Sequence, residues 1–299
     1  SINMIPFFIY YSMFGFQRVG DFIWAAADMR TKGFLLGGTA GRTTLAGEGL
    51  QHQDGHSHLM ASVIPNVKAY DPAYAYEIAV IIHDGLERMY VNQEDVFYYI
   101  TLENENYVQP SLPKNVEDGI IKGMYKLQTD VSGNNPRVQL LASGSMVNEV
   151  LEASKILKED WQIDTDIWSV TSFSELHREA EDKSRWNTLH PNETDKQSYV
   201  GANLLAENGP VVAVSDYVKL VAEQISPYIN CPFAALGTDG FGRSETRDEL
   251  RKFFEVNRYY IVMTALESLS NEGKVDKSKV TDAINKYKLD PEKPNPVTV

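Results

Sequence analysis

Between residues 37 and 66 the chain gathers an unusual density of side chains able to do chemistry. The run reads GGTAGRTTLAGEGLQHQDGHSH from Gly37 to His58 and continues to Ile64-Pro65-Asn66. It holds His52, His56 and His58, three of the six histidines in the protein, with Arg42, Glu48 and Asp54 among them. Imidazole titrates near neutral pH, so in a polar pocket its natural use is general acid and base catalysis. The glycines allow turns closed to other residues, and a shaped polar loop between apolar segments is where function concentrates. Two other chemistries fit less well. His52 and His56 have the spacing of two zinc ligands on one helical face, but no cysteine is near and glycines interrupt any helix there, so no metal is assigned. The Gly-Lys-Ser/Thr ending of a nucleotide-binding P-loop is also missing. For each histidine a structural hydrogen-bonding role stands beside the catalytic one.

A second glycine-bearing run, Gly237-Thr238-Asp239-Gly240-Phe241-Gly242, has the look of a Gly-Asp-Gly motif that holds magnesium and a diphosphate. Thr238 interrupts the triplet and no Asn-Asn pair follows, so it reads as a structured turn that helps hold domains or subunits together. Tyr10, Tyr11, Phe14 and Phe16 are core aromatics by default. Their position at the end of a strand lets one or two of them stack on a flat cofactor.

The elements that position these groups alternate. Ile5 to Tyr11 reads as a buried strand, Gln17 to Lys32 as a helix, and Phe34 to Leu36 as a strand running into the glycine loop. Leu59 to Ile64 reads as a short helix, Val67 to Tyr70 as a strand, Ala73 to Tyr90 as a helix, and Val96 to Leu102 as a buried strand. This rhythm predicts an α/β fold with a parallel sheet, whose ligands collect at the carboxyl ends of the strands. Residues 103 to 135 carry prolines and little periodicity except around Gly119 to Leu127, and mark the junction between a first domain over 1–125 and a second over 126–299. The second domain repeats the alternation. Strands are expected at 138–142, 163–170 (polar and apolar residues alternating), 210–214 and 233–236, and helices at 146–160, 217–226, 246–254, 258–272 and 276–286. The stretch after Phe173 reads only as charged, and the tail beyond Asp290 as mobile.

At 299 residues the chain is long enough for two domains. A net charge of −13 argues against general affinity for nucleic acid or an anionic membrane. The single cysteine, Cys231, excludes an internal disulfide framework and fits a reducing compartment. With no membrane-spanning run and no signal peptide evident, a cytoplasmic protein is expected. The opening on an apolar strand suggests a piece of a longer chain.

Several long motifs carry a resemblance: YYSMFGFQR at 10–18, the His-rich run above, IPN at 64–66, YDPAYAYE at 70–77, TLENENY at 101–107, SVTSF at 169–173 and LGTDGFGRS at 236–244. From about Asn3 to the end, the sequence closely resembles the pyruvate dehydrogenase component of the pyruvate dehydrogenase complex, of the bacterial, homodimeric, transketolase-like kind. The resemblance implies part of a pyrimidine-binding domain with a parallel sheet, followed by a transketolase C-terminal-like α/β domain. It also implies a thiamine diphosphate and magnesium enzyme that decarboxylates pyruvate and passes the acetyl group to the lipoyl domain of the acetyltransferase. Phe14 matches the aromatic that stacks on the cofactor's pyrimidine, Tyr11 a tyrosine near the reacting carbon, and His52 the histidine facing substrate. Glu48, Asp54 and His56 are expected just behind them, with Glu48 and Asp54 fixing the histidines. The activating glutamate and the diphosphate and magnesium ligands of the family find no match here, so the chain is expected to be inactive alone. A transketolase-type ketol transferase, or a dimerisation or docking module without chemistry, are the alternatives.

Overall fold

The structure, a computed structural model, describes residues 4–45, 47–133, 135–205 and 209–299. Ala46 of the glycine loop, Asn134 at the junction and Asn3, where the resemblance begins, lie outside the described residues. The first half comprises β1 (Phe7–Tyr11), α1 (Gly15–Asp28), β2 (Phe34–Gly38), α2 (Ser57–Ser62), β3 (Val67–Tyr70), α3 (Ala75–Leu86) and β4 (Phe97–Leu102). Its sheet has the order β1-β2-β4-β3 with every pairing parallel. The β4 sequence FYYITL is aromatic and β-branched and almost wholly buried, as an interior parallel strand must be. In register, Tyr11 pairs with Gly38. The turn after β1 and the glycine loop after β2 therefore leave the sheet side by side at its carboxyl edge.

The second half comprises α4 (Glu117–Lys122), β5 (Met124–Asp130), β6 (Arg137–Ala142), α5 (Met146–Trp161), β7 (Asp164–Val170), α6 (Phe173–Leu189), α7 (Tyr199–Leu205), β8 (Val211–Val214), α8 (Leu220–Glu223), β9 (Phe233–Leu236), α9 (Arg247–Phe253), α10 (Arg258–Asn271) and α11 (Ser278–Lys286). Its sheet has the order β5-β7-β6-β8-β9, parallel except for the antiparallel edge strand β5. No helix of the described residues is long and apolar enough to cross a membrane.

Several expectations need correction. The first strand forms, but on the edge of its sheet, and it is exposed: Ile9 is 67% and Phe8 58% accessible. β7 alternates polar and apolar residues, yet it is buried along its whole length, lying between β5 and β6. Its aspartates survive burial by pairing, Asp164 with Lys158 at 2.8 Å and Asp166 with Arg137. The charged stretch after Ser172 is the long helix α6, started by the Ser172 hydroxyl accepting from the Glu175 backbone N–H. The helix expected over 217–226 shrinks to Leu220–Glu223 and a following 3-10 turn. The junction contains α4 and β5, and the tail is tied down, with Lys293 bonded to the Phe253 carbonyl and Pro296 buried.

The two halves meet along a polar seam. Asp71, at the end of β3, accepts from Ser143 Oγ at 2.7 Å, and its backbone joins Thr171 and Gly144. Arg178 on α6 reaches back to the carbonyls of Ser62, Ile64 and Val67, and Lys68 pairs with Glu175 at 2.5 Å.

Candidate active site

The turn after β1 carries Tyr11 and Phe14, and the short helical turn Leu50–His52 of the glycine loop folds over onto it. The His52 ring centre lies 5.3 Å from that of Phe14 and 5.3 Å from that of Tyr11, and the two aromatics are 5.8 Å apart. All three rings are tilted on one another. Tyr11 is 44% exposed, and Leu50, Gln17 and Arg18 around it are exposed too. The cluster is a wall facing outward. The Arg18 guanidinium lies 4.3 Å from the centre of the Phe14 ring, covering one of its faces.

Glu48 Oε2 stands 3.5 Å from His52 Nδ1, and that nitrogen is buried with no hydrogen-bond partner within range. A carboxylate here orients the ring and leaves Nε2 for work outside. Asp54 holds the main chain: its Oδ1 accepts from the backbone N–H of His56 at 3.1 Å and of Ser57 at 3.0 Å, starting α2. Among the described residues it bonds to none of the three imidazoles of the loop and acts on His56 through the backbone.

The three histidines diverge. His56 Nε2 faces the Gln17 side-chain amide. Burial lowers its pKa, with Asp54 opposing and Arg42 assisting, so the ring is neutral and can accept from the amide. His58 is buried, bonds to Thr101 Oγ1 at 3.1 Å and meets the Tyr217 ring edge-on at 4.8 Å. Burial depresses its pKa too. Among the described residues no group of histidine, cysteine and acid converges to hold a metal.

Behind the loop, Arg42 is buried and donates to the carbonyls of Thr238 and Gly240. Its guanidinium lies against Gly55, where a Cβ would sit 2.3 Å from Nε, so only glycine allows the approach. Asp216 accepts from the Thr43 N–H at 3.0 Å, and burial pushes its carboxyl up to about 6. Gln53, fully buried, makes a two-way pair with the backbone of Arg243. Reading by residue type passes over Gln53, Gln17 and Arg18, since a lone amide or arginine carries no spacing signal.

Comparison with known proteins follows this geometry. Residues 1–110 match the model of the pyruvate dehydrogenase E1 component middle domain, and residues 123–257 that of the transketolase-like C-terminal domain. The chain is 56% identical over 300 residues to a pyruvate dehydrogenase E1 component of Cupriavidus necator, a match covering 100% of this chain and 34% of that protein. With that of Pseudomonas aeruginosa the identity is 57% over 98% of this chain and 33% of the relative. With that of Escherichia coli it is 54% over 99% and 33%. The chain thus spans about a third of the length of these curated relatives. Among solved structures, a transketolase from Campylobacter jejuni superposes with a TM-score of 0.67 at 17% identity, covering 88% of this chain and 36% of that one. A split-gene transketolase described as an inactive beta4 tetramer superposes at 0.62 and 17% identity, over 90% of this chain and 78% of its own. At these identities the structural likeness speaks for the fold alone.

Proposed function

Because the chain belongs to the pyruvate dehydrogenase E1 component family, we propose that it supplies one wall of a thiamine diphosphate site for the oxidative decarboxylation of pyruvate. The observation that carries this reading is the outward-facing cluster of Phe14, Tyr11 and His52. The residues fit such a group: Arg18 takes one face of Phe14, which leaves the other for a flat heteroaromatic ring. Among the described residues no histidine, cysteine and acid group converges to hold a metal, and the ligands of the diphosphate and of magnesium are placed outside this chain as part of the proposal. The seam near residue 125 is taken as the border between the pyrimidine-binding part and the C-terminal domain.

When bound, thiamine diphosphate supplies the nucleophilic carbon that pyruvate meets. The chain's own contribution is positional and protonic. Phe14 orients the pyrimidine by stacking. The His52 imidazole, braced by Glu48 on Nδ1, presents Nε2 to hold or move a proton where oxygen charge develops, and the Tyr11 hydroxyl donates beside it. The acetyl acceptor would be the oxidised lipoyl group on the lipoyl domain of the acetyltransferase component, whose disulfide is reduced as it takes the acetyl group, with the enzyme a homodimer in a cytoplasmic complex. A transketolase-type ketol transfer is less well supported, because identity to transketolases is 17–20% against 54–57% to the pyruvate enzymes cited.

One assay tests the reading: full-length enzyme containing this chain is offered pyruvate with an oxidised lipoyl domain, or xylulose 5-phosphate with an aldose phosphate as acceptor, each with thiamine diphosphate and magnesium. Turnover of pyruvate alone is expected. Turnover of the sugar phosphate, or of neither, overturns it.

A further inference from the structure

The turn at Gly242–Glu245 lies in the second domain, far along the sequence from the histidine loop, yet it is bonded to that loop on both sides of His52. The Arg243 N–H donates to Gln53 Oε1 at 2.6 Å, and Gln53 Nε2 donates to the Arg243 carbonyl at 2.6 Å. Ser244 Oγ donates to the Glu48 carbonyl at 2.5 Å, and the Gly47 N–H to the Glu245 carbonyl at 3.0 Å. Gly242 lies beneath this pair: a Cβ there would sit 2.6 Å from Gln53 Oε1 and 2.9 Å from the Leu50 carbonyl. The segment gripped in this way runs from Gly47 to Gln53 and contains both Glu48 and His52.

We propose that Gln53, paired with the backbone of Arg243 across the domain seam, is a positioning residue that sets where His52 and Glu48 stand in the active site. The inference rests on the reading of His52 as a group that meets substrate. A carboxamide offers an acceptor oxygen and two N–H donors in one plane; the oxygen and one N–H match the N–H and C=O of Arg243 held edge to edge, and the nitrogen also reaches the Leu45 carbonyl at 3.5 Å. Since Gln53 is fully buried, neither bond is exchanged for water, and loss of either leaves a buried polar group unsatisfied. Among the described residues the polar anchors of the neighbouring His52 are local: its backbone N–H donates to the Gly49 carbonyl at 3.0 Å, and its ring nitrogen Nδ1 faces Glu48 at 3.5 Å. A shift of the second domain's turn would therefore move His52 against Phe14, and misplacement of a catalytic group by about 1 Å costs on the order of a hundredfold in rate.

The isosteric variant Gln53→Glu separates positioning from packing. As a carboxylate it keeps the acceptor but turns the donor into a second acceptor against the Arg243 carbonyl. As a protonated acid it regains one donor and one acceptor, and burial favours that form. In the full-length enzyme, kcat of Gln53→Glu relative to wild type at the same pH should be reduced at least tenfold at pH 8 and recover severalfold by pH 6, with KM for pyruvate within about threefold. Gln53→Ala should show the loss without the recovery. Amide exchange of the Arg243 N–H in the chain itself, protected in wild type and exposed in Gln53→Ala, checks that the pair exists independently of activity. A ratio for Gln53→Glu that stays flat with pH overturns the proposal, as does a Gln53→Ala enzyme that exposes the Arg243 N–H while turning over at the wild-type rate. Failure of wild type to use pyruvate would instead sink the functional reading beneath it, with the exchange result still standing.

Discussion

Phe14 and His52 meet at 5.3 Å between ring centres, although one belongs to the turn after β1 and the other to the loop after β2. The parallel register that sets Tyr11 beside Gly38 starts both connections at the same end of adjacent strands, which brings the two segments within reach of each other. If Phe14 offers its open face to the cofactor's pyrimidine, then Phe14→Leu in the full-length enzyme keeps bulk but loses the flat face. The expected result is thiamine diphosphate binding weakened up to about tenfold, the worth of a stacked aromatic pair, read by calorimetry. Unchanged affinity would remove Phe14 from the site.

His52→Ala should lower kcat for pyruvate by roughly a hundredfold or more, the usual contribution of a placed acid or base. Glu48→Gln should cost less, because it keeps an acceptor near Nδ1 and removes only the charge that holds the ring. Steady-state kinetics of both variants decide the order. A Glu48→Gln enzyme slower than His52→Ala would assign the glutamate a role of its own.

Stability should depend on acidity through His58 and Asp216 in opposite senses. Burial holds the His58 imidazole below its ordinary value, so near pH 6.5 and below the unfolded chain takes up a proton that the folded chain does not. The folded state therefore loses stability as the pH falls from about 7, by up to about 1.4 kcal/mol per unit. Asp216, pushed up to about 6, binds a proton in the folded state that the unfolded chain releases near pH 4, so its contribution declines as the pH rises from about 4 to 6. Melting curves between pH 4.5 and 7.5 should show a shallower acid-side loss for His58→Gln and a steeper rise with pH for Asp216→Asn. A His58→Gln profile parallel to wild type would contradict the first sign.

Arg178 binds three carbonyls around the α2–β3 turn and pairs with Glu175 at 3.0 Å, fastening the first half to α6. Arg178→Met preserves the stem but leaves those carbonyls without their charged donor. A loss of about 2–3 kcal/mol is expected, the scale of hydrogen bonds to a charged group, measured by denaturant unfolding. A loss below about 0.5 kcal/mol would mean that water replaces the guanidinium there at little cost.

If the diphosphate and magnesium ligands lie outside it, as proposed, the 299-residue chain by itself should bind thiamine diphosphate and magnesium no more tightly than about millimolar. Micromolar binding in a calorimeter would show that the chain contains more of the site than the Phe14 wall.

Much of this was legible in the residues. Aromatic and β-branched runs such as FYYITL at 97–102 and VKAY at 67–70 encode strands through composition, and the glycine loop declared itself by the company its histidines keep. What residue type and spacing determined was which elements form, their alternation, and which side chains could do chemistry. They did not determine that β1 would be an edge strand, because the same apolar alternation serves an edge or a centre and only the pairing partners decide. Nor did they separate the three histidines: His52 faces out to the aromatics, His56 toward Gln17, and His58 into the interior against Thr101 and Tyr217. Those fates, like the pairing of Gln53 with Arg243, depend on contacts between segments far apart in sequence. Local periodicity records the path of the backbone through each element, while such contacts exist only once the two sheets have packed against each other.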